Sequence, residues 1–295
     1  MTENLDNNQI QEKIKQLEVE MTSSNFWSDK NHAQMVIKQI AEYKNELLGK
    51  DKYNKGHAIM TIFSGAGGDD AEDFSRILFD MYSKYFDRKG WISRILDENE
   101  NDNGGYRNLT LEIFGANAYG ELKGEAGVHR LVRLSPFNAK NLRQTSFSMV
   151  EVSPKIEKDD DIKIPENELR VDISKAGGPG GQNVNKRETA VRITHIPTGI
   201  AVRCVSERSQ PQNKEKAMEI LKGKLFTLRE SEKEVMKSGT HISKTTSIDW
   251  GNQIRSYVFH PYKMIKDHRT NVETANIDKV LNGELDEFIE AEKNI

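Results

Sequence analysis

Residues 177–182 read Gly-Gly-Pro-Gly-Gly-Gln and combine a nearly bare backbone with one hydrogen-bonding side chain. Glycine has no Cβ and adopts positive φ angles readily, so such a loop can bring its backbone close to a partner. Gln182 offers two N–H donors and one carbonyl acceptor, but it has no proton to titrate. The loop could therefore orient a water molecule for hydrolysis through positioning and backbone N–H groups, whereas proton transfer would need a group elsewhere.

Two other interpretations of this segment follow from the residues alone. The first is a glycine-rich turn between a strand and a short helix, without a chemical role. The second is a phosphate-binding loop. The GxxxxGK[ST] pattern is absent, however, because Lys186 lies five residues after Gly181 and is followed by Arg187. The spacing therefore argues against a nucleotide site.

Two further segments carry polar residues in distinctive patterns. Acidic residues crowd the start of a predicted helix after Gly68, where the helix dipole favours carboxylates. Residues 135–145 form a polar loop between two predicted strands and begin with Ser135-Pro136-Phe137. From the residues alone, helix stability explains the acidic group and a plain hairpin loop explains residues 135–145.

Residues 177–199, GGPGGQNVNKRETAVRITHIPTG, resemble the catalytic domain of bacterial class I peptide chain release factors. In that family a Gly-Gly-Gln loop enters the peptidyl transferase centre of the ribosome. The resemblance implies that Gly180, Gly181 and Gln182 promote hydrolysis of the ester between nascent peptide and tRNA. It also implies that a glutamine methyltransferase converts Gln182 to N5-methylglutamine.

The resemblance extends from Ile59 onward and includes segments that contact the stop codon. Residues 67–71 match the family pattern Gly-Gly-x-Glu-Ala, which implies that Gly68 and Asp70 contact the first codon base. Asp70 stands where the pattern has glutamate and is one methylene shorter. We therefore expect a shorter reach at this contact.

The loop after the fourth predicted strand of this region carries the family's codon discriminator. Ser135-Pro136-Phe137 matches the release factor 2 type, which accepts UGA and UAA, whereas the release factor 1 type has Pro-x-Thr there. Family members place a histidine before Thr145, and this chain has Gln144. The resemblance therefore implies recognition of UGA and UAA, with altered contact strength at the later codon positions.

Trp250 and Gly251 match the Trp-Gly of a family switch segment. The resemblance implies that this segment extends the catalytic domain after correct codon reading. Without the resemblance, the same residues indicate a connector with a buried tryptophan.

Length and composition bound the class of protein. The 295 residues suggest two or three domains, and 36% hydrophobic with 30% charged residues is typical of a globular chain. The lack of a long apolar run and of a signal sequence predicts a cytoplasmic protein without membrane contact. The single cysteine, Cys204, excludes an internal disulfide and is expected to be buried on a strand.

The charge is unevenly distributed along the chain. Residues 175–229 carry 11 lysines and arginines against four glutamates, whereas residues 271–295 carry two lysines against seven acidic residues. A face that binds phosphates accounts for this distribution, and so does a solvated surface.

The predicted fold is α+β with several domains. Apolar residues at helical spacing over 9–21 and 33–48 predict an N-terminal helical hairpin, a shortened form of the family's helical domain. The expected divisions are a helical domain at 1–53, a mixed α/β codon-recognition domain at 54–160, an α/β catalytic domain at 161–258, and a C-terminal segment at 259–295 that packs on the codon-recognition domain.

Individual elements follow from periodicity and turn residues. The predicted strands are 58–63, 91–96, 109–114, 129–134, 146–152 and 169–174, followed by a hairpin around 197–199 and a strand at SYVF. A long helix is expected after Arg208, with a buried stripe of Ala217, Leu221, Leu225 and Leu228 and an exposed set of Lys214, Lys216, Lys222 and Lys224. One acidic amphipathic helix is expected at the C-terminus.

Together these observations predict a monomeric translation termination factor. It is expected to bind both ribosomal subunits, the stop codon and peptidyl-tRNA, and to need no metal or organic cofactor. It would not be an enzyme by itself, because hydrolysis takes place within the ribosome. A codon-independent rescue hydrolase is one alternative, favoured by Gln144 and the short N-terminal region. A non-catalytic ribosome or RNA binder is another, opposed by the complete Gly-Gly-Gln.

Overall fold

The structure is a computed structural model that describes residues 7–21, 36, 40, 43, 53–156, 164–175, 188–238 and 251–293. The α+β fold is confirmed. In chain order the main elements are α1 Asn7–Met21, β1 Ala58–Ser64, α2 Asp69–Lys89, β2 Ile92–Glu100, β3 Tyr106–Phe114, α3 Ala118–Leu122, β4 Gly127–Leu134, β5 Arg143–Pro154, β6 Leu169–Ser174, β7 Ala190–His195, β8 Ala201–Cys204, α4 Gln210–Ser238, β9 Gln253–Val258, β10 Met264–Asp267, β11 Glu273–Thr274, α5 Ile277–Leu281 and α6 Asp286–Glu292.

The N-terminal helix α1 has the predicted apolar stripe. Leu17 and Met21 pack against the buried side chains of Val36 and Ile40, which are helical. Most of the second helix expected at 33–48 lies outside the described residues. The two predicted stripes therefore meet, as a helical hairpin requires. No helix in the described part of the chain is long and apolar enough to span a bilayer.

An eight-stranded sheet forms the centre of the molecule, with strand order β11-β10-β9-β4-β5-β1-β3-β2. Strands β4 and β9 are parallel, and the other neighbours are antiparallel. Helix α2 covers one face with Phe74, Leu78, Met81 and Tyr85, all fully buried. It ends at Gly90, whose φ of 68° is the left-handed conformation that favours glycine.

Two sequence expectations about this region need correction. Strand β9 lies in the large sheet, although the boundary at residue 258 placed it in the catalytic domain. Alternating exposure identifies a strand but not its partner. The loop expected at 97–108 is shorter, because β2 runs to Glu100 and β3 begins at Tyr106. These polar residues lie on an edge hairpin, where strands tolerate solvent-facing side chains.

The C-terminal segment packs on the core of the large sheet. Leu285, Phe288 and Ile289 are buried among the residues of that core. The single helix expected here is two short helices, α5 and α6, separated at Gly283 with φ of 83°. A Cβ at Gly283 would lie 2.5 Å from the backbone nitrogen of Tyr85, so the close approach requires glycine.

A smaller lobe consists of the antiparallel sheet β6-β7-β8 and helix α4. Its core contains the predicted stripe residues Ala217, Leu221 and Leu225 together with Cys204, which is buried on β8 as expected. Leu228, the fourth stripe residue, is only half-buried. Ile59 of β1 joins this core, so the lobe packs on the face of the large sheet opposite α2.

Lys216 and Lys224 of α4 were expected to be exposed, but both contact carboxylates of the large sheet. Lys216 contacts Glu112 at 3.0 Å, and Lys224 contacts Glu151 at 2.7 Å. The apolar stripe predicts one buried face, whereas α4 lies between the small sheet and the large one. Gly223 permits this approach, because a Cβ there would lie 2.4 Å from the carbonyl oxygen of Pro154.

Candidate functional site

The start of α2 is anchored to strand β5. The Gly65 N–H donates to the carbonyl of Phe147 at 2.8 Å, and the Phe147 N–H donates to that of Ala66 at 3.1 Å. Gly67 has a φ of 140°, and a Cβ there would lie 3.1 Å from the side chain of Ser146. Gly67 therefore lets the chain turn tightly against β5. A Cβ on Gly68 would meet no atom within 4 Å, so the space beside Gly68 is open.

The loop from Ser135 to Leu142 joins β4 to β5 and is held by its own backbone. The Ser135 N–H donates to the Leu142 carbonyl at 3.0 Å, and the Asn141 N–H donates to that of Asn138 at 2.9 Å. The Lys140 N–H also donates to Asn138 Oδ1 at 2.9 Å. Asn141 has a φ of 49°, which asparagine tolerates. The loop is thus a closed hairpin connection with a defined shape.

A buried hydrogen bond joins this loop to the start of α2. Ser135 Oγ donates to Asp70 Oδ2 at 2.6 Å, and the Phe137 N–H donates to Ser135 Oγ at 3.2 Å. Ser135 is 2% exposed and Asp70 is 7% exposed. These two predicted codon contacts lie beneath the surface, where they orient the backbone of Phe137.

Arg133 adds a second connection that the sequence analysis did not identify. Its Nη2 lies 3.1 Å from Asp70 Oδ1 and 2.6 Å from Asp73 Oδ2. The three side chains are largely buried, which strengthens charge-assisted hydrogen bonds. The only sequence signal was an arginine in an apolar strand opposite an acidic helix start, and that signal does not specify a contact.

The remaining predicted residues of this site are exposed. Phe137 is 41% exposed, Pro136 is exposed beside it, and Gln144 and Thr145 are exposed at the start of β5. In the sheet register Gln144 lies opposite Arg133, so it belongs to the same face as the start of α2. The structure therefore brings Gly68, Phe137, Gln144 and Thr145 to one end of the large sheet, where a single-stranded base could stack and form hydrogen bonds.

The second predicted site lies outside the described residues, which exclude Gly180, Gly181, Gln182 and Trp250. Residues 175–189 connect the paired ends of two strands, since Ser174 of β6 lies opposite Ala190 of β7. Gly251 lies in an exposed turn before β9. In the described ranges no group of three His, Cys, Asp or Glu residues is arranged to hold a metal ion.

Two domain families match the chain. The RF-1 domain matches residues 156–269, and the PCRF domain matches residues 40–150. Together they cover most of the large sheet, the small lobe and the exposed site at Phe137.

Curated relatives and a solved structure agree with these matches. Peptide chain release factor 2 of Clostridium perfringens is 45% identical over 295 residues, which are 100% of this chain and 80% of the relative. Peptide chain release factor 2 of Listeria monocytogenes is 40% identical, covering 97% of this chain and 92% of the relative. The solved structure of RF2 of Thermus thermophilus is 38% identical, with a TM-score of 0.72 and coverage of 96% of this chain and 80% of that one. The chain therefore belongs to the class I peptide chain release factors of translation termination, in the release factor 2 group.

Proposed function

We propose that the chain recognises UGA and UAA in the ribosomal A site and triggers hydrolysis of peptidyl-tRNA. The observation that carries the first part is the Ser135–Asp70 hydrogen bond of 2.6 Å. It joins the start of α2, with the open backbone of Gly68, to the loop that exposes Phe137. Two segments far apart in sequence thus form one surface.

Within this surface the side chains have different roles. Phe137 stacks on a codon base, and Thr145 and Gln144 provide hydrogen-bonding groups for the later positions. Ser135 and Asp70 act through Phe137 and Gly68, because their polar atoms already bind each other. Asp70, although shorter than glutamate, reaches Ser135 directly. Pro136 restricts the backbone between Ser135 and Phe137.

The hydrolytic step is assigned to Gly180, Gly181 and Gln182. The Gln182 side chain orients a water molecule that attacks the ester carbonyl, and its backbone N–H stabilises the developing oxyanion. The bond to the tRNA oxygen breaks, and ribosomal RNA and tRNA provide the proton transfers. We further propose that a methyltransferase converts Gln182 to N5-methylglutamine and that Trp250 and Gly251 belong to a switch segment. The chain would act as a monomer without a cofactor. Its four domains would be divided as predicted, except that the third boundary lies before β9.

A release assay with labelled peptidyl-tRNA on programmed ribosomes tests the loop. Gln182→Glu should keep ribosome binding but lose release, because a carboxylate cannot donate the hydrogen bonds of the amide. Gly181→Ala tests the need for bare backbone. Asn185→Ala, in the same segment, is the control. Full release by both Gln182→Glu and Gly181→Ala would refute the assignment.

Codon reading is tested by comparing release on UGA, UAA, UAG and one sense codon. Release on UGA and UAA alone is expected. Phe137→Ala should lower kcat/KM on UGA by roughly 5- to 160-fold, the equivalent of about 1–3 kcal/mol of base stacking. Leu142→Ala, which removes another exposed apolar side chain of the loop, is the matched control. Equal release on UAG would contradict the codon assignment, and equal release on the sense codon would indicate a rescue hydrolase.

A further inference from the structure

The small lobe presents a basic face to the large sheet. We define the basic face as Arg192, Arg203, Lys216 and Lys224. Arg192 and Arg203 are direct neighbours across β7 and β8. Lys216 and Lys224 are separated by about two helical turns on α4, so they lie on one side of that helix. Four cations from three elements therefore point towards the same junction.

Three carboxylates of the large sheet contact this face, and we call them the carboxylate row. Arg203 Nη1 lies 2.8 Å from Asp97 Oδ1, Lys216 Nζ lies 3.0 Å from Glu112 Oε2, and Lys224 Nζ lies 2.7 Å from Glu151 Oε2. In one further pair the charges are reversed, since the cation, Arg94 of β2, belongs to the large sheet and contacts Glu207 of the lobe at 2.8 Å.

The register of the large sheet sets the distance between two members of the carboxylate row, Asp97 and Glu151. Asp97 lies opposite Thr110, Thr110 opposite Thr61, and Thr61 opposite Glu151. These residues follow one line across four adjacent strands, which places the ends of the line roughly 14 Å apart at about 4.8 Å per strand. The basic face is thus matched by negative charges along an extended path rather than by one compact cluster.

The junction between the two faces is poorly filled. A cavity of about 320 Å³ lies between Thr61 and Asn108 of the sheet and Arg192 of the lobe. A second cavity of about 680 Å³ lies beside it, lined by Phe63, Met149 and other residues. Few apolar side chains of the large sheet enter the core of the lobe, among them Ile59 and Leu96. Interfaces of this polar kind between domains commonly separate.

We propose that the basic face is a binding surface for an RNA phosphate backbone, and that the carboxylate row occupies it while the lobe is docked. Carboxylates and phosphates are both anionic oxygen acceptors, and arginine and lysine bind either. The family acts on the ribosome, where RNA is the abundant polyanion. Docking neutralises the face, and undocking offers three or four cations to consecutive phosphates. The proposal concerns neither the Phe137 surface nor the Gly180–Gln182 loop, so it does not rest on release activity.

Fluorescence anisotropy of the full chain with a short labelled RNA duplex tests the proposal. Asp97→Asn/Glu151→Gln removes two competing carboxylates and should tighten RNA binding by roughly tenfold. Adding Arg203→Gln/Lys224→Gln should cancel the gain and reduce the slope of log K against log salt by roughly two. Thermal unfolding of each variant checks that it folds.

The matched control is Glu273→Gln/Glu284→Gln, which changes net charge equally. These residues form exposed pairs with Lys266 and Arg88, away from the junction. An equal gain in RNA affinity for this control would overturn the proposal, because net charge would then explain the effect. An unchanged affinity for Asp97→Asn/Glu151→Gln would also overturn it. So would a gain for polyglutamate without a gain for RNA, which would indicate an acidic protein partner.

Discussion

Two ionic junctions hold distant parts of this chain together, and they differ in burial. In the buried cluster, Arg255 binds Glu125 through two nitrogens at 2.7 Å each and Asp267 at 3.1 Å. All three side chains are at most 1% exposed, and the guanidinium lies 4.5 Å above the ring of Phe288. In the lobe junction, where the basic face meets the carboxylate row, Arg203, Lys216 and Lys224 are 19–35% exposed and each contacts its carboxylate through one nitrogen. Two of these carboxylates, Asp97 and Glu112, are themselves buried.

This difference in burial predicts that the buried cluster contributes more to stability than the pairs of the lobe junction do. Burial alone would raise the pKa of Glu125, but the Arg255 guanidinium holds it below its ordinary value. Burial also opposes ionisation of Asp267, yet Arg269 and Arg255 lower the pKa of that carboxyl to about 2. The buried cluster therefore stays charged and fixes β9 and β10 in the sheet. In the lobe junction the cations remain partly in contact with solvent, so we expect each pair there to contribute less than the buried cluster.

The largest expected effect comes from breaking the buried cluster. Arg255→Met should lower the free energy of unfolding by about 3–5 kcal/mol, because Glu125 and Asp267 lose their partner without access to water. Urea unfolding followed by circular dichroism measures the change. Arg203→Met, which breaks a pair of the lobe junction, is the matched control. Equal losses for the two variants would remove the distinction between the junctions.

A pH titration at the lobe junction has the next largest expected effect. Burial raises the pKa of Asp97 to about 6, and its contacts with Arg203 and Asn108 offset only part of that shift. The folded chain therefore holds this proton more tightly than the unfolded chain, and its stability relative to Asp97→Asn should rise as the pH falls from about 6.5 to 4. The gain is up to roughly 3 kcal/mol, at 1.36 kcal/mol per pKa unit.

The measurement is the difference in unfolding free energy between the two proteins across this pH range. Other groups titrate there as well. Burial and Arg255, for example, lower the pKa of His129 to about 4. The difference between wild type and Asp97→Asn cancels such contributions. A difference that stays constant with pH would show that Asp97 is not buried as the structure has it.

The smallest expected effect is the loss of one cation from the lobe junction. Lys224→Gln should cost less than about 1 kcal/mol, and the cost should shrink in high salt, because the pair is partly solvated. Lys266→Gln removes an exposed pair with Glu273 and serves as the reference. A loss above about 2 kcal/mol for Lys224→Gln in urea unfolding would place this junction in the same class as the buried cluster.

Local patterns predicted most elements of the fold. The start of α4 after Arg208 and the burial of Cys204 depend on neighbours in sequence, and both are confirmed. The partner of β9 and the pairing of Lys216 depend on which surfaces meet. Periodicity carries no information about that, since a stripe identifies a face but not what covers it.

The loop that carries Ser135 and Phe137 was predicted between two strands, but the burial of Ser135 was not predicted. The location of the loop followed from the polar run and Pro136. The burial of Ser135 could not be predicted, because its partner Asp70 lies 65 residues earlier. Arg133 was missed for the same reason, since its two carboxylate partners belong to a different element.

The parallel pairing of β4 with β9 has a consequence for biosynthesis. As the nascent chain leaves the ribosome, β4 emerges long before β9, so one edge of the growing sheet stays open while the intervening lobe is made. The lobe can finish first, because its three strands are neighbours in sequence and need no later partner. The large sheet is thus started early and completed late. A nascent chain interrupted before β9 would contain a folded lobe attached to an incomplete sheet.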